Sequence, residues 1–369
     1  MTRTVGPAGK YDGAAFSLNN FGYAAGGTTG SVVATVYAYC GGVRDYRVKV
    51  GLPRWAPGVG NTYWTQKAPY PIVDLSASLY AMNGYLYGHG GKNATGSSAS
   101  VYVSSVYRYN DDLNSWANLG NGSSGFYFGG FFSLNGFGYS GGGRTTSDAP
   151  ISSFYKFNDF SNIITVTTPW AVRLVPAGMS LNGYGYIVGG VNATPATTSE
   201  MMVFNDGLGT WTTTEIADTT CYDPGVFNLN GYGYRSGGGI TTGPSTFTST
   251  TSMYQSGSLS WLARTVCPSA AGNYNGVAFA GYGWILCPTV SGTTETSNIY
   301  QYNEIDYWVQ KIGLSSPNSK YRGPFGVLNN RIYGVAGGSA NATLFYSDVS
   351  QMSSGDNYAR VVVSLKIED

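Results

Sequence analysis

Residues able to do metal or covalent chemistry are few and far apart in this chain. There is one histidine, His89, and four cysteines, Cys40, Cys221, Cys267 and Cys287. Zinc needs about four nitrogen or sulfur ligands at short spacings, and no Cys-x-x-Cys pair is present. A copper centre built from two histidines and tyrosines fails on the single histidine. His89 falls within Gly88-His89-Gly90-Gly91 and reads as a strand-end residue. The thiols read as free and buried, with a Cys267–Cys287 bridge as the alternative. No Gly-x-Ser-x-Gly, His-Glu-x-x-His, phosphate loop or dinucleotide fingerprint leading into a helix occurs. Neither cofactor nor catalysis is expected. The chemistry that remains is that of binding surfaces, through 31 tyrosines and many amides and hydroxyls.

Composition narrows the partners. Lys+Arg (20) and Asp+Glu (19) nearly cancel, and 11% of the 369 residues are charged. That balance offers no footprint for nucleic acid or an anionic membrane. No apolar run approaches the ~18 residues of a spanning helix, and Met1 to Lys10 lack the apolar core of a signal peptide. Hydrophobic residues make up 42%, which argues against disorder despite 54 glycines.

These residues are carried by a repeat. LNNFGYAAGG starts at Leu18, MNGYLYGHGG at Met82, LNGFGYSGGG at Leu134, LNGYGYIVGG at Leu181 and LNGYGYRSGG at Leu229. FAGYGWILCP from Phe279 and LNNRIYGVAGG from Leu328 are degenerate copies, and successive starts are 64, 52, 47, 48, 50 and 49 residues apart. Each phrase predicts a hairpin: a hydrophobic strand, an Asn-Gly turn of type I′ and an aromatic strand ending at glycines. A second hairpin follows, in YNDDLNSW to Trp116, FNDGLGTW to Trp211, YQSGSLSW to Trp261 and YNEIDYW to Trp308, with FNDFSNII to Ile164 as the weak copy. Four strands per repeat make a propeller blade.

The Gly-Gly doublet followed by Tyr and Trp flanking a turn resembles the kelch motif, across nearly the whole chain. The resemblance implies an all-β, seven-bladed β-propeller with four antiparallel strands per blade. It would be a single domain over 1–369, with blades beginning near 10, 75, 127, 174, 222, 272 and 321. Repeat one runs 46 residues from Leu18 to Trp64, against 29 to 34 elsewhere. The surplus is expected as an insertion near 41–61, rich in basic residues, and its Arg44, Arg47, Lys49, Arg54 and Trp55 are candidate docking residues. Ring closure is expected from Tyr358 to Ile367 as the outer strand of blade seven, with Met1 to Val5 as a latch.

Loops joining strand four to strand one, and strand two to strand three, open on one mouth. Seven residues before each anchor hydrophobe lie Tyr11, Leu75, Tyr127, Leu174, Tyr222, Gly272 and Tyr321. With Tyr274, Arg322 and Arg144, the tyrosines Tyr11, Tyr127, Tyr222 and Tyr321 form the candidate ligand-binding set, suited to stacking on sugars or anchoring a protein loop. The alternative is that they pack between blades.

In texture the chain is similar to kelch-type propellers of bacteriophage tails and fibres. That implies a non-enzymatic virion component, made without a signal peptide and present in several copies. Its partners would be other virion proteins and a host surface polysaccharide or receptor, without nucleic acid or membrane insertion. Two alternatives stand: a cellular kelch scaffold, and a carbohydrate-active propeller of sialidase or sugar-epimerase type. FNDGLGTW is close to the sialidase Asp-box, but Gly209 falls one place late.

Overall fold

The computed structural model describes residues 14–18, 21–25, 35–39 and 47–49, and residues 65–348 apart from 73, 76, 94–100, 122–124, 146–149, 161–162, 167–171, 195, 216–219, 241–245, 258–259, 273–274, 287–288, 291–293, 297, 304, 312–323, 330 and 337–342. The chain divides into two compact units, Met1–Asn61 with Asn357–Asp369, and Thr62–Asp356. In the first, repeat one forms a four-stranded antiparallel meander of Ala14–Leu18, Phe21–Ala25, Thr35–Tyr39 and Arg47–Lys49.

The second unit is an all-β propeller. Five of its sheets draw four antiparallel strands from one continuous stretch each. Repeat two supplies Ser78–Met82, Tyr85–His89, Ser105–Asn110 and Ser115–Asn121. Repeat three supplies Gly130–Leu134, Phe137–Gly141, Phe154–Asn158 and Ile163–Val166. Repeat four supplies Ala177–Leu181, Tyr184–Val188, Glu200–Asn205 and Thr210–Glu215. Repeat five supplies Gly225–Leu229, Tyr232–Ser236, Thr251–Gln255 and Trp261–Arg264. Repeat six supplies Asn275–Phe279, Tyr282–Leu286, Ile299–Asn303 and Tyr307–Lys311.

Among the described residues these are the five blades built wholly from one repeat each, where the sequence predicts seven. The physical reason lies at the two ends of the repeat array. Repeat one's sheet belongs to the first unit. Among the described residues repeat seven contributes Phe325–Leu328, Arg331–Ala336 and Thr343–Asp348, and the fourth place in its sheet is taken by Thr65–Lys67. Leu344 pairs with Lys67 and Tyr346 with Thr65. The expected outer strand Tyr358 to Ile367 and the latch Met1 to Val5 lie outside the described residues, and Thr65–Lys67 performs the closure expected of them. Innermost strands stand side by side through repeats two to seven, and that of repeat seven packs against Ser78–Met82 of repeat two.

The Asn-Gly turns form as their sequence requires, with φ of +51° and +78° at Asn83-Gly84 and +49° and +81° at Asn182-Gly183. In the second hairpin the aromatic of strand three faces the tryptophan of strand four. Tyr109 is opposite Trp116, Phe204 opposite Trp211, Tyr254 opposite Trp261 and Tyr302 opposite Trp308. Ring centroids in these pairs are 4.8 to 5.3 Å apart.

The core lies in the seams between sheets. One cluster joins Phe132, Tyr139 and Phe154 of repeat three to Ile187, Met202 and Phe204 of repeat four. Another joins Leu328, Tyr333 and Val335 of repeat seven to Leu79, Leu86 and Tyr109 of repeat two. Strand-two glycines make room for these side chains. A Cβ on Gly138 would meet the Tyr80 ring at 2.1 Å, and one on Gly185 the Phe132 ring at 2.2 Å. The four seams from repeat two to repeat six thus each seat a large inner-strand residue, Tyr80, Phe132, Met179 or Phe227, on the bare backbone of the next blade.

The doublets carry the strictest demand. A Cβ at Gly143, where φ is +79°, would stand 2.1 Å from the carbonyl oxygen of Tyr127. At Gly84, where φ is +78°, nothing lies within 4 Å. Gly84→Ala should therefore cost only the left-handed strain of about 1–2 kcal/mol. Gly143→Ala adds a backbone clash and should cost at least about 2 kcal/mol more. Urea unfolding of the two variants checks this, and equal losses would refute the close approach of the Tyr127 carbonyl to Gly143.

Candidate functional site

The loop face is built from main-chain ladders. Directly after the glycines, the chain pairs with the residue seven before the anchor hydrophobe: Leu75 with Lys92, Tyr127 with Arg144, Leu174 with Val191 and Tyr222 with Gly239. On their other side these residues pair with Tyr102, Pro150, Thr197 and Phe247. Four repeats therefore carry a short three-stranded ladder at the mouth, which satisfies polar backbone that would otherwise need water.

A second constraint tightens this face. The residues after the register position, Phe128, Val175 and Asp223, all have positive φ, of +58°, +53° and +53°. For a β-branched valine this is a strained conformation. It is held by Val175 N–H donating to the Phe128 carbonyl (3.1 Å) and Asp223 N–H donating to the Val175 carbonyl (2.8 Å). A hydrogen-bonded collar thus runs across three consecutive blades.

The side chains on this scaffold split into two kinds. Tyr127 is buried, 5% exposed, with its ring 5.1 Å from Tyr102 and 4.6 Å from Phe128. Lys92 Nζ stands 5.7 and 5.5 Å from the Tyr102 and Tyr127 ring centroids, within cation–π range. Arg144, at the bridge to Tyr127, is half-buried. Tyr222 is half-buried and lies against Gly239, where a Cβ would meet its ring at 2.1 Å. Burial first, then the Asp223 charge, raises its hydroxyl pKa above the usual tyrosine value.

Of the residues singled out in the sequence, the structure brings Tyr127 and Arg144 together and places Tyr222 two blades on from Tyr127. Tyr11, Tyr274, Tyr321, Arg322, Arg44, Arg54 and Trp55 lie outside the described residues. Arg47 and Lys49 sit on the fourth strand of the first unit's sheet, opposite Tyr37 and Thr35. Part of the expected insertion is therefore strand. Cys221 and Cys267 are buried, and Arg235 donates to the Cys221 sulfur at 3.0 Å.

Sequence reasoning missed the polar ties inside the seams. In repeats two, three and four the Asp of the Asn-Asp turn straps its blade to the preceding one. Asp206 of repeat four accepts from Asn135 (3.1 Å), Tyr139 (2.5 Å) and Lys156 (2.7 Å) of repeat three. Asp159 pairs with Arg108 of repeat two at 3.2 Å. Asp111 of repeat two pairs with Arg331 of repeat seven and with Lys67, both at 3.1 Å, so the ring-closing seam carries the same strap as the two seams that follow it. Burial alone would raise the carboxyls of Asp111 and Asp206. Hydrogen bonds from Tyr333, Lys67 and Asn329, and from Lys156, Tyr139 and Asn135, outweigh it and hold both below the ordinary range. The recurrence of Asp beside Tyr and a cation one repeat earlier was the signal available. Deeper toward the loops, the fully buried His89 shares a 2.6 Å hydrogen bond with the buried Ser140 of the next blade. Arg173, also buried, is paired with Glu200.

Burial lowers the His89 pKa from 6.5 to about 3. Because the unfolded chain binds that proton more readily, stability should fall by roughly 1.4 kcal/mol per pH unit from about pH 6.5 down to about 3. The depressed carboxylates Asp111 and Asp206 act in the same direction, stabilising above the ordinary carboxylate pKa and losing that contribution as pH falls through their folded values. With one histidine in the chain, its ring NMR resonances report the effect alone. They should show neutral imidazole at pH 5, and a titration midpoint near 6.5 would refute the burial.

No family model and no curated protein matches the chain. Among solved structures that do match, one described as "Structure of YjhT" superposes with a TM-score of 0.56 at 12% identity, covering 83% of this chain and 98% of that one. At that identity the likeness concerns the fold. This chain is a β-propeller with four-stranded antiparallel blades, and YjhT is a structural neighbour.

Proposed function

We propose that this protein is a non-enzymatic binding or structural module of a bacteriophage virion, a tail, fibre or surface component with blades of kelch type. In this reading the loop face docks another virion subunit. The observation that carries it is the collar of that face. A run of strained, mutually hydrogen-bonded backbone at Phe128, Val175 and Asp223 adjoins the ladders that carry Arg144 and Tyr222, and the ladder of repeat two carries Tyr102 and Lys92. Preset aromatic and arginine anchors are the side chains that protein interfaces concentrate energy on, at low ordering cost. The near-neutral charge supports a partner held by packing and hydrogen bonds over one held by ionic attraction.

Antibody raised against the chain should label purified phage particles in electron micrographs, and unlabelled particles would refute the virion assignment. Tyr222→Ala and Arg144→Ala should each weaken incorporation into particles at least tenfold without lowering Tm. Incubation with sialyl-lactose should leave the sugar unchanged, and turnover would favour a carbohydrate-active enzyme instead.

A further inference from the structure

We propose that the opposite, turn-bearing face of the propeller carries a second binding site, whose ligand is a neutral glycan. The site is a groove of about 510 Å³ along the Asn-Gly turns of repeats three, four and five. Its polar wall is Ser133, Ser180 and Asn228 from the last inner-strand position before the anchor leucine, and Asn135, Asn182 and Asn230 from the turns. The volume falls within the usual range for sites that enclose a small ligand.

Three observations select the ligand. The first is an asymmetry between repeats. The position held by Ser133, Ser180 and Asn228 is Ala81 in repeat two, Ala278 in repeat six and Val327 in repeat seven. Repeat one, in the other unit, has Ser17 there. Within the propeller unit the hydrogen-bonding side chains fall on three adjacent repeats, and the Asn-Gly turn itself does not require them, since repeat two makes the same turn with Ala81.

The second is charge and order. No residue lining the groove is charged, which suits hydroxyl groups and disfavours carboxylated or sulfated sugars. Nearby Asp206 is committed to Lys156 and Tyr139. The wall is braced by its own amides: Asn228 Nδ2 donates to the Ser180 carbonyl at 2.8 Å, and Asn182 Nδ2 to the Gly231 carbonyl at 3.3 Å. Donors and acceptors are therefore set before a ligand arrives.

The third is an uncovered aromatic ring. In repeats two and three a cation covers the first residue of strand two, with Arg108 4.7 Å from the Tyr85 ring centroid and Lys156 3.9 Å from that of Phe137. In repeat four the residue at that cation's register position is Val203. Tyr184, next in the chain to the groove residue Gly183, is left 38% exposed. An open tyrosine ring one residue along the chain from the groove offers a sugar C–H stacking, and the groove's amides and hydroxyls offer hydrogen bonds.

The inference stands apart from the virion assignment, because it concerns the other face and its own variants. The test is affinity electrophoresis of the full chain in gels containing dextran, mannan or glycogen, with polysialic acid as the anionic control. At least one neutral polymer should retard the protein, and polysialic acid should not. Tyr184→Ala and Asn228→Ala should each weaken retardation about tenfold at unchanged Tm, while Tyr222→Ala on the loop face should leave it intact. Absence of retardation by every neutral polymer, retardation by polysialic acid alone, or retardation surviving both groove variants overturns the proposal. So does a loss in Asn228→Ala that accompanies a lowered Tm and is not reproduced by Tyr184→Ala.

Discussion

One hydrogen bond in each of four seams, from the second glycine of the doublets of repeats two to five to the entry loop of the next repeat, organises the structure around it. Gly91, Gly143, Gly190 and Gly238 donate to the carbonyls of Phe126, Arg173, Cys221 and Ala271 at 2.7 to 2.9 Å. Their own carbonyls accept from Val103, Ile151, Thr198 and Thr248 at 2.9 to 3.0 Å. The same peptide unit thus ends one blade's second strand, anchors that blade's outer loop and hooks the following blade. At Gly143 and Gly238 the carbonyl of the same repeat's entry loop, from Tyr127 and Tyr222, comes too close for a side chain, so glycine is required there by contact as well as by dihedral angle.

Around that staple the seam is layered. Toward the loops lies the His89–Ser140 tie between repeats two and three. The middle is apolar, with large inner-strand side chains seated over strand-two glycines. Toward the turns lie the carboxylate straps, each an aspartate held by a tyrosine and a cation from the blade before. Buried ionic groups cost desolvation and tolerate only one arrangement, so the straps define which blades are neighbours. Closure uses the same device, with Lys67 from the closing strand sharing Asp111 with Arg331.

This division leaves both faces free to vary. On the loop face the register position is defined by main-chain bridges, which accept leucine at 75 and 174 and tyrosine at 127 and 222. The tyrosine series was legible from spacing alone, but exposure was not. Tyr127 turned out buried against Tyr102 and Lys92, because its neighbours come from the adjacent blade. On the turn face the anchor leucine and the asparagine were equally legible, whereas the polar arc at Ser133, Ser180 and Asn228 becomes visible only once three turns stand side by side.

The sequence by itself determined the hairpins, the turn types and the pairing of strand-three aromatics with tryptophan. Each of those depends on residues only a few positions apart, whose dihedral preferences and alternation act locally. Tertiary structure decided the number of complete blades, the closing strand, the straps and the groove. Asn83 reaches a carbonyl 53 residues away, Lys156 a carboxylate 50 away and Arg331 one 220 away. A repeat of about fifty residues specifies the shape of one blade. How many blades close the ring depends on the wedge angle of each packed seam and on which strand reaches the last open edge, and neither is encoded within any single repeat.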